Sequence, residues 1–330
     1  DEIDLPPVST LPMVTLSHMA MSAEFNFLLY GDKELVDNAV LKDAAEKAFK
    51  AVDDLENHIT TWKPESDASQ MNEKAAAAPF AVDPDLFRLM LTARHYYEES
   101  QGVFDVTVGP LLALWGFYGK QGQAPSEPEI DAALAKTGFK HIQLDEKAHT
   151  VFYEKPGMRV DFGGIGKGLA LDASADILRQ QGIKNFRIHS ATSSIIACGN
   201  PPDEDGWSIN IRLPYGDEQK PVDTVIIHNE SLSTSSAQER HVEYNGKRYG
   251  HIFDPRTGRP ADTKVKSATV IAPTGTESDA LSTAFFILGV DGAREYCRKH
   301  PEVRALLVVD HRQTPEHVAD AQGGKAHSGA

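Results

Sequence analysis

Asp161-Phe162-Gly163-Gly164-Ile165-Gly166-Lys167-Gly168 is the run whose reading decides the fold. It follows an apolar stretch, Met158 to Phe162, that reads as a strand, and leads into a helix expected to reach about Gln181 and close at Gly182. Strand, glycines and helix together can bring backbone N–H groups and a helix N-terminus to a phosphate. Yet the glycines lack the dinucleotide-binding spacing. No Ser or Thr follows Lys167, and a glycine is missing at the offset a Walker loop requires. Close helix–strand packing, which also needs small residues, is the other reading of the run.

The flanks favour antiparallel strands with inserted helices. From Phe186 to Ala272 the pattern is one of short strands and turns. Trp207, Ile209, Ile211 and Leu213 alternate with polar residues, as in a half-buried antiparallel strand. Upstream, residues 1–18 read as a Pro-rich, irregular arm and Met21 to Tyr30 as a strand. Val40, Ala44, Ala48, Val52, Leu55 and Ile59 recur at helical spacing. A second helix is expected from Pro84 to about Ser100, with Leu86, Met90, Ala93 and Tyr97 on one face, and a short third from Pro128 to Lys136. Helices from about Glu277 to Leu288 and from Gly292 to His300, then a strand from Ala305 to Val309, complete the core. The expectation is one α+β domain over residues 19–318 and a disordered tail over 319–330.

The bulk numbers bound the function. The chain has 330 residues, 41% hydrophobic and 25% charged, and a net charge of −15. That charge argues against nucleic acid and against an anionic membrane surface. An acidic protein that takes a phosphorylated ligand needs a metal ion or a backbone cradle. Cys198 and Cys297, the two cysteines, suggest buried free thiols rather than a zinc site or a disulfide scaffold. The chain begins at Asp1, which leaves a removed secretory signal, and hence a periplasmic or cell-envelope location, as one expectation and a cytoplasmic location as the other.

Three further segments could carry chemistry. Arg248-Tyr249-Gly250-His251-Ile252-Phe253-Asp254-Pro255-Arg256-Thr257-Gly258 reads as a strand end and a tight loop, with His251 beside Asp254 and Arg256. Glu277-Ser278-Asp279-Ala280-Leu281-Ser282-Thr283 places Asp279, Ser282 and Thr283 at i, i+3 and i+4 of a helix. That oxygen-only face suits Mg²⁺ held partly by ligand phosphates, although Asp279 could equally be a solvated first-turn residue. Gly102-Val103-Phe104-Asp105, followed by Leu114-Trp115-Gly116-Phe117, could wall a flat ring system or be plain core. Trp62 is a further stacking candidate.

Asp161-Phe-Gly-Gly-Ile-Gly-Lys-Gly, His251-Ile-Phe-Asp-Pro-Arg-Thr-Gly and Asp279-x-x-Ser-Thr, in this order, resemble the ApbE family of FAD:protein FMN transferases over about Met19 to Val309. The resemblance implies a T-fold-related α+β architecture with a flavin site between two halves. It implies Mg²⁺-dependent cleavage of FAD, transfer of FMN to a threonine of an acceptor flavoprotein, and release of AMP. The acceptor would be a membrane redox subunit or an extracytoplasmic flavoprotein. Hydrolysis of FAD to FMN and AMP, or FAD binding without turnover, are the rivals.

Position by position, the resemblance makes His251 the catalytic base. It makes Gly164, Asp279, Ser282 and Thr283 the metal ligands. It puts Met21, Trp62, Val103, Phe104, Asp105, Asp161, Lys167 and Phe253 on the flavin nucleotide. Three places depart from the family pattern: Thr192-Ser193-Ser194 stands for Gly-Gly-Asp, Met21-Ser22-Ala23 for Met-Gly-Thr, and Thr234-Ser235-Ser236 for Thr-Ser-Gly.

Overall fold

Val14, Leu16, His18 and Ala20 turn to one side of β1 (Met13–Ala20), while Met13, Thr15, Ser17 and Met19 face solvent. This period of two is that of a strand with one packed face. β1 pairs antiparallel with β2 (Ala23–Tyr30) through the turn Met21-Ser22, whose residues sit at φ 51° and 57°. The arm expected over residues 1–18 is therefore corrected: 13–18 are sheet. Their alternation is weak next to Pro6, Pro7 and Pro12, and pairing with β2 completes it. The structure, a computed structural model, describes residues 11–32, 37–119, 124–214, 221–237 and 239–310, so the start of the arm and the expected tail lie outside it.

The chain next enters α1 (Asn38–Ile59), where the Asp37 side chain accepts the Ala39 N–H. Leu41, Ala44, Ala45, Ala48, Val52 and Ile59 form its buried stripe. Val40, expected on that face, is exposed, because the helical rotation puts Leu41 in line with Ala44 and Ala45 instead. A helix-rich region follows: α2 (Asp67–Lys74), β3 (Phe80–Ala81), α3 (Pro84–Glu99), a 3-10 turn at Val106–Val108, α4 (Gly109–Leu114) and α5 (Glu127–Leu134). β4 (Ile142–Asp145) and β5 (Thr150–Tyr153) close it, with β5 between β3 and β4 in a small sheet.

Residues 158–162 are extended but join no ladder. Asn72 of α2 stands in for a partner strand: its Oδ1 accepts the Val160 N–H (2.8 Å) and its Nδ2 donates to the Val160 carbonyl (3.0 Å). The glycine run then opens α6 (Gly166–Gln180), which ends before Gly182 at φ 80°.

The remaining elements are mostly strands. β6 (Asn185–Ser190), β7 (Ser194–Cys198) and the hairpin of β8 (Trp207–Arg212) with β9 (Pro221–Ile227) lead to β10 (Glu230–Ser236). Short hairpins follow, β11 (His241–Tyr244) with β12 (Lys247–Gly250) and β13 (Phe253–Asp254) with β14 (Arg259–Pro260). β15 (Val265–Ala272), α7 (Gly275–Lys299) and β16 (Arg304–Val309) finish the fold. The two helices expected after Glu277 meet end to end in α7, broken at Gly289 (φ 75°, ψ −171°).

Among the described residues seven strands make the main sheet, in the order β1-β2-β6-β7-β10-β15-β16, each pair antiparallel. This is α+β, with no βαβ crossover among the described strands. α1, α6 and α7 cover one face, burying Phe25, Phe27, Leu29, Leu171 and Phe186. The β8–β9 hairpin covers part of the other with Trp207, Ile209 and Ile211; Leu213, expected on that stripe, lies past the strand and is 37% exposed. Cys198 and Cys297 are free, as expected, but partly exposed, because each sits near the open end of its element. Among the described residues no helix is long and apolar enough to cross a membrane.

One crossing positions the site. A Cβ built on Gly168 would lie 2.1 Å from the Gly275 carbonyl oxygen, so α6 and the start of α7 touch backbone to backbone. Asp172, one turn along α6, caps α7 by accepting the N–H groups of Gly275 (2.6 Å) and Thr276 (2.8 Å).

Candidate active site

A cavity of about 630 Å³ opens between the helix-rich region and the strand-rich part. This is the size of a cofactor-scale ligand site. Every expected site residue except Ser282 lines it.

One end is built by the glycine run and α7. The N-cap residue Ile165 gives α6 no side-chain cap, but the Gly166 N–H donates to the Phe162 carbonyl (2.8 Å) and the Gly168 N–H to Asp279 Oδ2 (2.9 Å), so what this helix end offers an anion is chiefly its dipole. Gly163, Gly164 and Gly166 line the cavity, and a Cβ on Gly164 would stand 3.4 Å from both Phe104 and Thr283 Oγ1. The packing reading of the run holds for Gly168, whereas Gly163 and Gly164 face the cavity. Lys167 Nζ donates to Ser193 Oγ (2.7 Å), so the serine that replaces a family glycine holds the ammonium.

Asp279 faces Lys167 across this end. Its Oδ2 accepts the Gly168 N–H (2.9 Å), and Oδ1 has no protein donor among the described residues. Burial pushes its carboxyl above the ordinary range, against the pull of Lys167 and of the Gly168 N–H. Ser282 is fully buried and turned away from the cavity. Its Oγ donates to the Asp279 carbonyl oxygen (2.9 Å) and lies 2.8 Å from Ser235 Oγ. A hydroxyl has one proton, so Ser235 must donate to Ser282. The 3.2 Å contact of Ser235 with Thr283 Oγ1 is then a bond that Thr283 donates. The relay Thr283 → Ser235 → Ser282 → Asp279 carbonyl leaves the lone pairs of Thr283 available. Asp279 Oδ1, Thr283 Oγ1 and the Gly164 carbonyl make a hard, oxygen-only donor set that fits a divalent cation shared with ligand phosphates.

His251 stands between β12 and β13. Its backbone N–H donates to the Arg240 carbonyl (3.1 Å), and its Nδ1 lies 3.2 Å from the same oxygen. A carbonyl only accepts, so Nδ1 carries the proton and Nε2 keeps its lone pair. Loss of solvent lowers the imidazole pKa to about 4, with Arg240 and Lys167 adding to the fall and the Arg240 carbonyl and Asp161 opposing it. Asp254 and Arg256, its neighbours in sequence, do not set its protonation. They form a two-point ion pair (2.8 and 2.7 Å) inside the turn that ends at Gly258, φ 69°. Sequence proximity misled because the tight turn folds that pair onto itself.

The other end is aromatic. Val103, Phe104 and Phe253 are buried in the wall. Asp105 lines it too, but its oxygens already accept from Thr107 N–H (2.8 Å), Thr107 Oγ1 (2.6 Å) and Phe139 N–H (3.3 Å), and burial lifts its pKa to about 6. Its visible work is to hold the aromatic loop. Asp161 accepts from Tyr118 Oη (2.8 Å) and the Gly163 N–H (2.9 Å). Trp62, 59% exposed, meets Tyr118 edge-on at 5.3 Å, and the Arg159 guanidinium lies over the Tyr118 ring at 4.6 Å. The Met21 N–H donates to Glu56 Oε2 (2.8 Å), which fixes the strained turn on the rim.

Sequence reasoning missed Tyr118, Arg159, Glu56 and Glu239. Tyr118 directly follows the aromatic stretch at Phe117. Glu56 follows Leu55 on α1, where it looks like an ordinary solvated helix residue. Glu239 has no motif around it.

The model of the ApbE family matches residues 19–307. The chain is 33% identical over 266 residues to an FAD:protein FMN transferase of Escherichia coli strain K12, covering 79% of this chain and 75% of that one. A Vibrio cholerae protein of the same name is 29% identical over 304 residues, covering 92% and 86%. Among solved structures, the ApbE protein of Thermotoga maritima superposes with a TM-score of 0.81 at 30% identity, covering 90% of this chain and 94% of that one. The flavin transferase ApbE of Vibrio cholerae superposes with a TM-score of 0.79 at 27% identity, covering 91% and 94%.

Proposed function

We propose that this chain, which belongs to the ApbE family and is a transferase, moves FMN from FAD to a threonine of an acceptor protein and releases AMP. The observation that carries this reading is the convergence of Asp279, Thr283, Gly164 and Lys167 at one end of a cavity whose other end is aromatic. A flavin ring suits the aromatic end and a pyrophosphate the other.

Asp279, Thr283 and the Gly164 carbonyl would hold Mg²⁺, which supplies charge neutralisation at the pyrophosphate. Lys167 holds phosphate oxygens, with the positive end of the α6 dipole behind it. His251 Nε2 takes the proton of the incoming hydroxyl as its oxygen bonds to the FMN phosphorus. The bond from that phosphorus to the AMP oxygen breaks, and AMP leaves with the electron pair. Phe104, Phe253, Tyr118 and Trp62 enclose the ring system and keep water from it.

Purified protein incubated with FAD and Mg²⁺, with and without a candidate acceptor, tests this. AMP release that requires acceptor, with flavin left on the protein, supports transfer. AMP release without acceptor indicates hydrolysis instead, and bound but intact FAD indicates a carrier.

A further inference from the structure

Glu239 and Arg240 line a second cavity of about 600 Å³, with Gly116, Phe117, Gly119 and His241 around it. Phe117, Glu239 and Arg240 line the first cavity as well, so the two share a wall. The shared wall carries the base, because the Arg240 carbonyl is the group that anchors His251. Opposite it, Gly116 and Gly119 sit at φ 83° and 98°, and a Cβ built on Gly119 would meet nothing within 4 Å. Gly119 thus adds no side chain to that wall. Among the described residues β11, which starts at His241, is paired on one side only, by β12. An unpaired strand edge is where an extended segment docks.

Resting on the transferase reading above, we propose that a hydroxyl-bearing, extended segment of the acceptor protein enters through this second cavity, with Glu239 at the junction positioning it. FAD fills the first cavity, so the nucleophile needs another way in. Attacking and leaving oxygens lie roughly in line at the phosphorus, and the second cavity adjoins the first at Arg240, whose carbonyl holds His251. Glu239 accepts a main-chain N–H of the segment. The hydroxyl proton goes to His251 Nε2, the new O–P bond forms at the FMN phosphorus, and the bond to AMP breaks. Glu239 lies within electrostatic reach of the Lys167 ammonium and the Asp279 carboxylate.

The probe is a protein that the Escherichia coli FAD:protein FMN transferase flavinylates, incubated with FAD, Mg²⁺ and this chain. His241→Trp fills the second cavity without touching the first. It should raise the acceptor KM about tenfold or more and leave FAD affinity unchanged. Glu239→Ala should raise the acceptor KM ~10–100-fold, the worth of a hydrogen bond to a charged group. Glu239→Gln, which keeps an acceptor oxygen, should recover most of that loss. A wild-type acceptor KM in His241→Trp overturns the proposal, as does a weakened FAD affinity there, which would assign the cavity to the nucleotide. An equal loss in Glu239→Ala and Glu239→Gln removes the positioning role. If the wild type leaves no flavin on the probe, the transfer reading itself falls and this inference with it.

Discussion

Replacing His251 by Ala, and following the rate against pH, probes the one group here whose surroundings reverse the ordinary expectation. A free imidazole has a pKa near ~6.5, and on sequence alone the rate should climb as pH rises through that value. Desolvation and the charges of Arg240 and Lys167 bring it instead to about 4. The sign is then clear: the neutral, proton-accepting form is lost only as pH falls through about 4. At pH 7 the protonated share is only about one part in a thousand, from the three-unit gap. The assay is kcat/KM for FAD from pH 5 to 8, which reports groups of the free enzyme. It should lack a limb from His251 in that range. His251→Ala should cost ~10²–10⁴ in turnover, or about 3–5 kcal/mol of barrier. FAD affinity, read by flavin fluorescence, should stay within a few-fold, because the phosphates are held by α6 and α7. A limb with its midpoint between 6 and 7 that disappears in His251→Ala would refute the desolvated imidazole. A large loss of FAD affinity in the same variant would refute the base.

Asp279→Ala should abolish Mg²⁺-dependent turnover while the melting temperature, read by circular dichroism, shows the fold intact. Ser235→Ala breaks the relay that frees the Thr283 lone pairs and should weaken Mg²⁺ affinity ~10–100-fold, measured by Mg²⁺ titration of FAD turnover. Gly164→Val should block FAD binding by pressing on Phe104 and Thr283, since Gly164 is not among the residues at positive φ and the cost is steric alone. Gly168→Ala should destabilise the fold by at least ~1–3 kcal/mol in urea unfolding, because its Cβ would collide with the Gly275 carbonyl; Gly164→Ala should not.

The fold class was legible because its evidence is periodic. The helical stripe of α1 and the alternation of β8 come from the residues themselves, and both appear where expected. β1 was not legible, because a strand with weak alternation is fixed by its partner, here β2. The segment before Gly163 was read as a strand, yet Val160 at its middle has its N–H and carbonyl paired by one asparagine side chain from a helix 88 residues away in sequence, and the Asp161 N–H goes to the Val106 carbonyl. Composition carries no trace of such a pairing. The same limit applies in the site. His251 and Asp279 stand in motifs, whereas what tunes them, the Arg240 carbonyl and the Ser235 relay, arrives from a loop and a strand that no spacing connects to them.

The crossing of α6 and α7 explains how an acidic chain can hold an anionic ligand. Gly168 and Gly275 let the two helices meet backbone to backbone, and Asp172 ties the start of α7 to α6. That contact sets the distance between Asp279 on α7 and Lys167 on α6, and the Gly168 N–H that touches Asp279 belongs to the contact itself. The net charge of −15 is spread over the whole chain, whereas the phosphate end gathers an ammonium, the positive end of a helix dipole and an oxygen donor set for a divalent cation. Screening in salt weakens distant surface charges more than these close, buried partners. Affinity for a phosphorylated ligand is thus a property of one helix crossing, and it is decoupled from the sign of the surface.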